Sequence, residues 1–414
     1  MKLLDSLAGY LGYGKVEARP KNVTYADSVM ESFGVSPGAA GIVVSPLSAQ
    51  RVSAVSACRQ KIAGSISTLR LDVLKIDKDT EVKMPRDALW YLLNEQPHSQ
   101  YTATSHWDNK VSEQLLRGDS YTWIRRRSNN SIAELFPLPW HSVQPWRQPD
   151  GSIRYWVSLP EWGITTWLDP SEVLHFPGNG FDGLKSMSVI AYGAKNAIGN
   201  ALAMDEYSGK FFANGAHPSI ILKSPAAMND AQKNQLREAF SAKYSGIENA
   251  HRLPLVLTEG LDVKEISLSA EDAQLLEARK FQVVDIARAF GVPPHSIGET
   301  SGSSAVGAGY EQQAREFVMG TLRIHIKRIE QELNRKLFVR DTGKFVRFDL
   351  SDLIEGDAKA QAEYAKAALG GPGAGPGWLT PDEIRKMKGL APLGGLSAQV
   401  YDPRIVYAPA QEAP

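Results

Sequence analysis

Apolar residues recur at helical spacing from Ser45 onward, with Val52, Val55, Ile62 and Ile66 on one side, and the stretch LRLDVLKID that follows alternates. The pattern predicts a helix running into a strand. Two further helices are predicted around RDALWYLLNEQ and SHWDNKVSEQLLRGD, followed by short aromatic strands. Eight of the nine tryptophans precede residue 170, and Trp140, Trp146, Trp156, Trp162 and Trp167 fall within 28 residues, interleaved with Pro and Gly. These strands predict a compact β-rich subdomain whose large aromatics form its core, in preference to a base-stacking platform.

The segment SMSVIAYGAKNAIGNALAMDEYSGKFFANG predicts one long helix, with Ile190, Ala194, Ile198, Ala201 and Leu202 on one side and Asn214-Gly215 ending it. Gly193, Gly199 and Gly209 each cost about 1 kcal/mol of helix propensity relative to Ala, so the helix is expected to pack closely against something. A second helix, about 270 to 290, is expected to open on a Ser269–Asp272 capping box. Between them lies a small unit: strand SIILK, a helix capped by Asn229 and ended near Gly246, then strands LPLVL and LDVKEIS. Further on, a long amphipathic helix directs Phe317, Leu322, Ile326, Ile329 and Leu333 toward a core and a basic-acidic mixture away from it. KFVRFDLSDL reads as a strand and an Ala-rich helix starts near Asp357. After the break GGPGAGPG, Thr380, Pro381 and Glu383 form the cap, first position and closing residue of another helix.

Composition narrows the function classes. With 414 residues, 43% hydrophobic and 22% charged, the chain can bury two or three cores. Lys plus Arg equals Asp plus Glu at 46 each, so any nucleic-acid contact is local and weak rather than a tight electrostatic clamp. One cysteine, Cys58, cannot form an internal disulfide, Asp5 interrupts what a signal peptide would need, and no apolar run approaches the roughly 20 residues of a spanning helix. The sequence reads as intracellular and not integral to a membrane.

Candidate chemistry is sparse. Gly9, Gly14 and Lys15 fit most of a phosphate loop, but Val16 stands where Ser or Thr would hold magnesium, and no strand precedes it. The eight histidines are scattered singly, no Gly-x-Ser-x-Gly elbow is present, and neither a metal, a cofactor nor a catalytic nucleophile is expected. The stretch GVPPHSIGETSGSSAVGAGYEQQ joins two predicted helices, and from Ala289 to Ala314 it holds no Lys or Arg. A Gly-rich anion site normally has a cation nearby, so this is not read as a phosphate clamp. A slack linker and a moving part both remain open, the latter favoured because long loops inside a domain tend to be functional.

Several stretches in order, LPWHSVQPWRQPDG, EVLHFPG with GLKSMSVI, FFANGAHPSIILKSP, VVDIARAFGVPPHSIG, EQQAREFVMGTLRIHIKRIEQELNRKLF and GWLTPDEIRKMKGLAPLGG, resemble the portal proteins of tailed double-stranded-DNA bacteriophages, lambdoid siphophage class. The resemblance implies an α+β portal fold and a ring, typically of twelve subunits, at one capsid vertex of the virion, assembled in the host cytoplasm. It implies a flexible arm (1–44), a β-rich wing (45–185), a first stem helix (186–215), a small α/β clip (216–267), a second stem helix (268–290), a tunnel loop (291–309), the long helix and strand of the wing (310–356), a helical crown (357–402) and a disordered tail (403–414). Double-stranded DNA would pass without sequence specificity for packaging and ejection. Terminase large subunit, capsid protein or scaffold, and a head-tail adaptor would be partners, with no cofactor and no enzymatic activity.

On that resemblance Ser296, Glu299, Thr300, Ser301, Gly302, Ser303, Ser304 and Gly307 would project into the channel. Lys195, Asp205, Glu206 and Lys210 would line it, and Lys233, Arg237 and Lys243 would face terminase. Small uncharged loop residues suit a surface that lets phosphates slide past, and a mixed or acidic lumen would lower friction. An adaptor ring without DNA traffic and a nucleotide-dependent translocase using the Gly9–Lys15 loop remain as rival readings.

Overall fold

The computed structural model describes residues 36–37, 39–77, 80–213, 220–223, 229–231, 234–235, 238, 262–265, 269–299, 309–338, 343–354, 358–371, 375–388 and 390–402. Two compact units form: Met1–Ser304 with Met319–Asp349, and Ala305–Val318 with Leu350–Pro414.

In the first unit α1 (Ser53–Ser67) leads into β1 (Leu71–Asp77), β2 (Thr80–Lys83), α2 (Ala88–Asn94) and α3 (Ala103–Arg117). Strands β3 (Asp119–Arg126), β4 (Ile132–Leu138), β5 (Val143–Arg147), β6 (Ile153–Leu159), β7 (Ile164–Leu168) and β8 (Val173–Pro177) follow. Then come α4 (Lys195–Ala213), β9 (Ile220–Lys223), β10 (Asp262–Glu265) and α5 (Ser269–Phe290). Helix α6 (Gly309–Glu316) belongs to the second unit, and α7 (Arg323–Leu337) and β11 (Lys344–Phe348) return to the first. Among the described residues these strands form three antiparallel sheets of three strands, ordered β11-β1-β2, β8-β3-β4 and β5-β6-β7, with β9 paired to β10; a further short pair joins Ser36–Pro37 to Val43–Val44.

Helix α1 buries Val55, Ile62 and Ile66, as their spacing predicts, together with Cys58, while Val52 is buried at its N-cap; the helix packs on α3, which buries Trp107, Val111 and Leu115. Burial also pushes the Cys58 thiol up to about 12, which keeps it protonated and inert. Helix α3 buries polar residues as well: His106, Lys110 and Gln114 stand four apart beside that apolar stripe. Lys110 is satisfied by Glu113 and by the carbonyls of Tyr121 and Leu138.

Helix α7 lies between two sheets and fastens both. Its Glu332 accepts the amide of His175 on β8 at 3.0 Å, its Glu330 accepts the amide of Phe348 on β11 at 2.9 Å, and Asn334 exchanges two bonds with Val346. The expected core residues Phe317, Leu322, Ile326, Ile329 and Leu333 are buried, but His325, Glu330 and Glu332 are buried too. The polar face of this helix is therefore not simply solvated. Its carboxylates accept strand amides and pair with Lys327, Arg335 and Lys336 of the same helix, and charge-assisted bonds of this kind offset desolvation.

The tryptophan expectation holds for Trp140, which packs partly buried against the β5-β6-β7 core, and is corrected for Trp146, Trp162 and Trp167. The core of β5-β6-β7 with its neighbours is Tyr121, Phe136, Leu138, Val143, Tyr155, Val157, Leu159, Leu168 and Val173, while Trp146, Trp162 and Trp167 are exposed. The cause is period-two alternation: in RYWVSL, Tyr155, Val157 and Leu159 face inward, so Trp156 falls on the other face.

In the second unit α8 (Ala358–Leu369) precedes α9 (Pro381–Met387). Thr380 and Glu383 form the expected capping box with Pro381 in the first turn, and Tyr364 meets Trp378 edge-on at 5.7 Å. Asp382 accepts the amides of Leu393 and Gly394, which ties the segment after α9 back to it.

Candidate functional site

The helices α4 and α5 run side by side in opposite directions, since Gly193 lies against Ala289 and Asp205 pairs with Arg279 at 2.5 Å. At their root Ile190, Ala194, Ile198, Ile286, Ala287 and Phe290 are buried. Along α4 from Asn200 to Lys210, no side chain is fully buried. Helix α4 is therefore held at its root and open to solvent from Asn200 to Lys210.

Each helix meets the root through a specific device. Ser188 donates its hydroxyl to the Leu116 carbonyl at 2.7 Å and accepts the Ala191 amide, opening a π-helical turn, Val189–Gly193, that closes with Ala194 N–H on the Val189 carbonyl. The single helix expected from 186 to 215 is thus a π turn followed by α4, because anchoring Ser188 to α3 sets the first turn before the α-helical register begins. Gly193 faces Ala289 at ordinary contact distance, whereas Gly209 has open space beside it, so the close packing expected at all three glycines is not met at Gly209 within one chain. The side chains of the expected Ser269–Asp272 box lie outside the described residues, as do Asn229's expected helix end near Gly246 and the LPLVL strand.

At the same root, α5 stops in a Schellman arrangement. Val292 N–H bonds the Ala287 carbonyl at 2.9 Å, Gly291 N–H bonds Arg288 at 3.0 Å, and Gly291 takes φ +68°, a conformation that side chains resist. Pro293 and Pro294 prevent continuation and start a 3-10 turn, Pro294–Ile297. Thr321, buried in a second π-helical segment, Phe317–Leu322, donates to the Gly291 carbonyl at 2.5 Å. No sequence signal marked Thr321 or Ser188; each acts through one hydroxyl whose partner lies 30 or 72 positions away.

The expected loop residues divide accordingly. Ser296 sits inside the 3-10 turn with its amide on the Pro293 carbonyl, and Glu299 N–H bonds the Pro294 carbonyl at 3.1 Å. Thr300, Ser301, Gly302, Ser303, Ser304 and Gly307 lie outside the described residues, as do Lys233, Arg237 and Lys243. Of the helix charges, Lys195 is half-buried at the start of α4. Asp205 is neutralised by Arg279 across the pair, and Glu206 is bonded to Lys210 at 2.6 Å, which lowers the Glu206 carboxyl pKa. Exposed pairs of this kind add little stability but leave the surface mixed rather than strongly signed.

Beneath the root lies a dense polar node. Asp119 accepts from Ser186 N–H at 2.9 Å and pairs with His175, whose other ring nitrogen meets the Tyr155 hydroxyl at 3.2 Å. Gln114 bonds the Pro177 carbonyl and meets His325. Gly178 passes so close to α3 that a Cβ there would lie 2.5 Å from the Gly118 carbonyl oxygen. The HFPG stretch is thus a structural lock. Gly178→Ala is expected to cost about 1–3 kcal/mol of stability, the usual range for forced overpacking, as read by urea unfolding; an unchanged midpoint would show that the backbone yields freely. Among the described residues, no group of three or more His, Cys, Asp or Glu could hold a metal ion.

Residues 53–389, which span this node, the helix pair and the loop's take-off, match the family described as phage portal protein. The chain belongs to that family. It is 30% identical to the portal protein of Enterobacteria phage HK97 over 350 residues, covering 83% of this chain and 80% of that portal protein. It is 40% identical over 230 residues to the probable portal protein of Streptomyces phage phiC31, a match spanning 55% of this chain and about half (49%) of the phiC31 protein.

Portal architecture is also found in the solved structures this chain is similar to. The HK97 family phage portal protein from Corynebacterium diphtheriae superposes with TM-score 0.53 at 19% identity, over 74% of this chain and 96% of that one. A chain from the neck of the native gene transfer agent particle, computed with C12 symmetry, gives TM-score 0.56 at 21% identity over 94% and 99%. These likenesses establish a mixed helix-and-sheet portal fold. HFPG and GVPPHSIG, two stretches on which the resemblance rested, are the portal chain's Gly178 lock and the turn at the end of α5.

Proposed function

We propose that twelve copies of the chain close into a ring at one capsid vertex of a virion, around a channel through which double-stranded DNA enters and leaves. The observation that carries this reading is the portal match to the HK97 protein across four-fifths of both chains. The neck chain computed with C12 symmetry is consistent with the copy number. In this reading residues 45–185 with 310–356 are the wing, α4 and α5 the stem, 216–267 the clip, 291–309 the tunnel loop and 357–402 the crown. A helix such as α4, fully buried only at its root among the described residues, suits a stem that packs against copies of itself. Paired charges on α4 give a mixed lumen that holds passing phosphates weakly.

The chain acts as conduit and docking ring and catalyses nothing itself. Terminase, meeting the clip around Lys233, Arg237 and Lys243, supplies the ATP hydrolysis. Capsid or scaffold protein and, later, a head-tail adaptor bind the outer surfaces. Among the described residues no helix is long and apolar enough to cross a membrane.

Native mass measurement with electron-microscope class averages down the particle axis tests the reading. The expected result is a closed ring of about a dozen subunits with an opening of roughly 20 Å or more, enough for a duplex whose major groove alone is about 12 Å wide. A small closed oligomer without a hole would exclude it.

A further inference from the structure

The turn between β8 and the root of α4 carries chemistry that the channel reading does not use. Among the described residues Asn179 is the one asparagine followed by glycine. The fold itself imposes that glycine: Gly180 takes φ +63°, and a Cβ there would lie 3.1 Å from Met187 Sδ. Asn179 is pinned through its backbone carbonyl, which accepts the Met187 amide at 2.9 Å, and both Asn179 and Gly180 are exposed. The Gly180 N–H has no hydrogen-bond partner among the described residues. A free amide nitrogen with no side chain beside it thus follows an amide side chain, the pairing from which asparagine cyclises onto its own backbone.

Arg328 on α7 decides what that pairing does. Its Nη2 donates to Asn179 Oδ1 at 3.1 Å, while its Nη1 is buried with no partner. Among the described residues no carboxylate pairs with this guanidinium, and burial alone moves its pKa, downward. An asparagine that served only to hold Arg328 would account for Nη2 and leave Nη1 orphaned, at the desolvation cost of a buried charged donor. A carboxylate at the same position supplies a second acceptor and the missing negative charge. The guanidinium also sits where negative charge develops when the Asn179 amide is attacked, the place of an oxyanion donor.

We propose that Asn179 deamidates in the folded protein, with Arg328 polarising its side-chain amide, and that the aspartate formed pairs with Arg328 and ties the turn before α4 to α7. Gly180 N, losing its proton to solvent base, bonds to Asn179 Cγ and closes a succinimide; the Cγ–Nδ2 bond breaks and the nitrogen leaves as ammonia. Water then opens the ring, so the net change is amide plus water to carboxylic acid plus ammonia, with no redox step. The reaction is internal to one subunit and needs only water, so it does not depend on the ring.

Peptide mapping by mass spectrometry of the full-length protein, held at mildly alkaline pH and sampled over days, tests it. Asn179 is expected to convert faster than every other described asparagine, and Arg328→Gln should slow it about tenfold, or roughly 1.4 kcal/mol. Arg335→Gln, exposed on the same helix, should leave the rate unchanged. In urea the unsubstituted and Arg328→Gln chains should convert at one rate, since the guanidinium acts only through the fold. Asn179→Asp, which carries the product from the start, should raise the folding equilibrium constant about fivefold, or roughly 1 kcal/mol, and lose that gain when combined with Arg328→Gln. Comparing Asn179→Asp with the unsubstituted protein needs no Arg328 variant, so that measurement holds should Arg328→Gln fail to fold. The proposal is overturned if Asn179 stays intact in the folded protein while it converts in urea, if folded Arg328→Gln converts at the unsubstituted rate, or if Asn179→Asp brings no stabilisation.

Discussion

Lys110→Ala is expected to lower the unfolding free energy by about 3–5 kcal/mol, the range seen when one member of a buried ion pair is removed. The ammonium has three N–H groups and three acceptors: Glu113 at 2.6 Å, the Leu138 carbonyl at 2.9 Å and the Tyr121 carbonyl at 3.1 Å. Burial pulls its pKa down, and Glu113 pushes it back up. Removing it strands a carboxylate and two strand carbonyls away from water, and the missing stem leaves a cavity besides. Lys110→Met keeps most of the volume, and Lys110→Met with Glu113→Gln removes the orphaned charge, so the double variant should recover part of the loss. Equilibrium urea unfolding of the three variants separates these contributions; a change below about 1 kcal/mol for Lys110→Ala would mean the site is wetter than its geometry implies.

Acidification from pH 7.5 to pH 5 is expected to remove about 3–4 kcal/mol of stability through two histidines alone. Burial, with Lys110 adding to it, holds His106 down to about 3, and burial with Arg328 holds His325 down to about 4. Both are neutral in the folded protein, where His325 Nδ1 meets Gln114 and His106 Nε2 meets Thr122. Unfolded, each takes up a proton near 6.5. The unfolded chain therefore binds more protons below pH 6.5, and stability must fall as pH drops through 6.5 toward those depressed values, by about 2 kcal/mol per histidine at pH 5. Denaturant midpoints measured across this range should show the slope, and His325→Leu should remove about half of it. Lys110→Met should leave the slope nearly unchanged, since burial is the main cause that holds His106 down and remains in that variant. A stability profile level between pH 7.5 and 5 would rule out both as buried neutral groups.

Periodicity made much of the fold legible. The helix-to-strand step from α1 to β1, the apolar stripe of α7 and the Thr380–Glu383 cap depend on residues near in sequence, and the structure carries all three. Buried charge was not legible. Lys110 and Glu113 look like an ordinary exposed pair until strands 11 and 28 positions away supply carbonyls to the ammonium. A signal did exist, in that His106, Lys110 and Gln114 border the Trp107–Val111–Leu115 stripe at the same four-residue spacing, making that face too wide to be solvated. The two π turns had no signal, and the hydroxyls found beside them, Ser188 and Thr321, meet carbonyls 72 and 30 positions away. The tryptophans misled through their size: volume suggests core, but alternation along β6 and the pairing with β7 put them outside.

The clamp that α7 places on its two flanking sheets carries a temporal implication. The Glu332 carboxylate that receives the His175 amide is made 157 residues later, which at about 5–20 residues per second is about 8–30 s of ribosome travel. For that interval β8 waits with an open edge, and β1 waits for β11 in the same way. The first unit thus closes only once nearly the whole chain has emerged. Nascent chains pass through a long stage in which these strand edges stand unpaired, the stage at which edge-to-edge aggregation is the hazard.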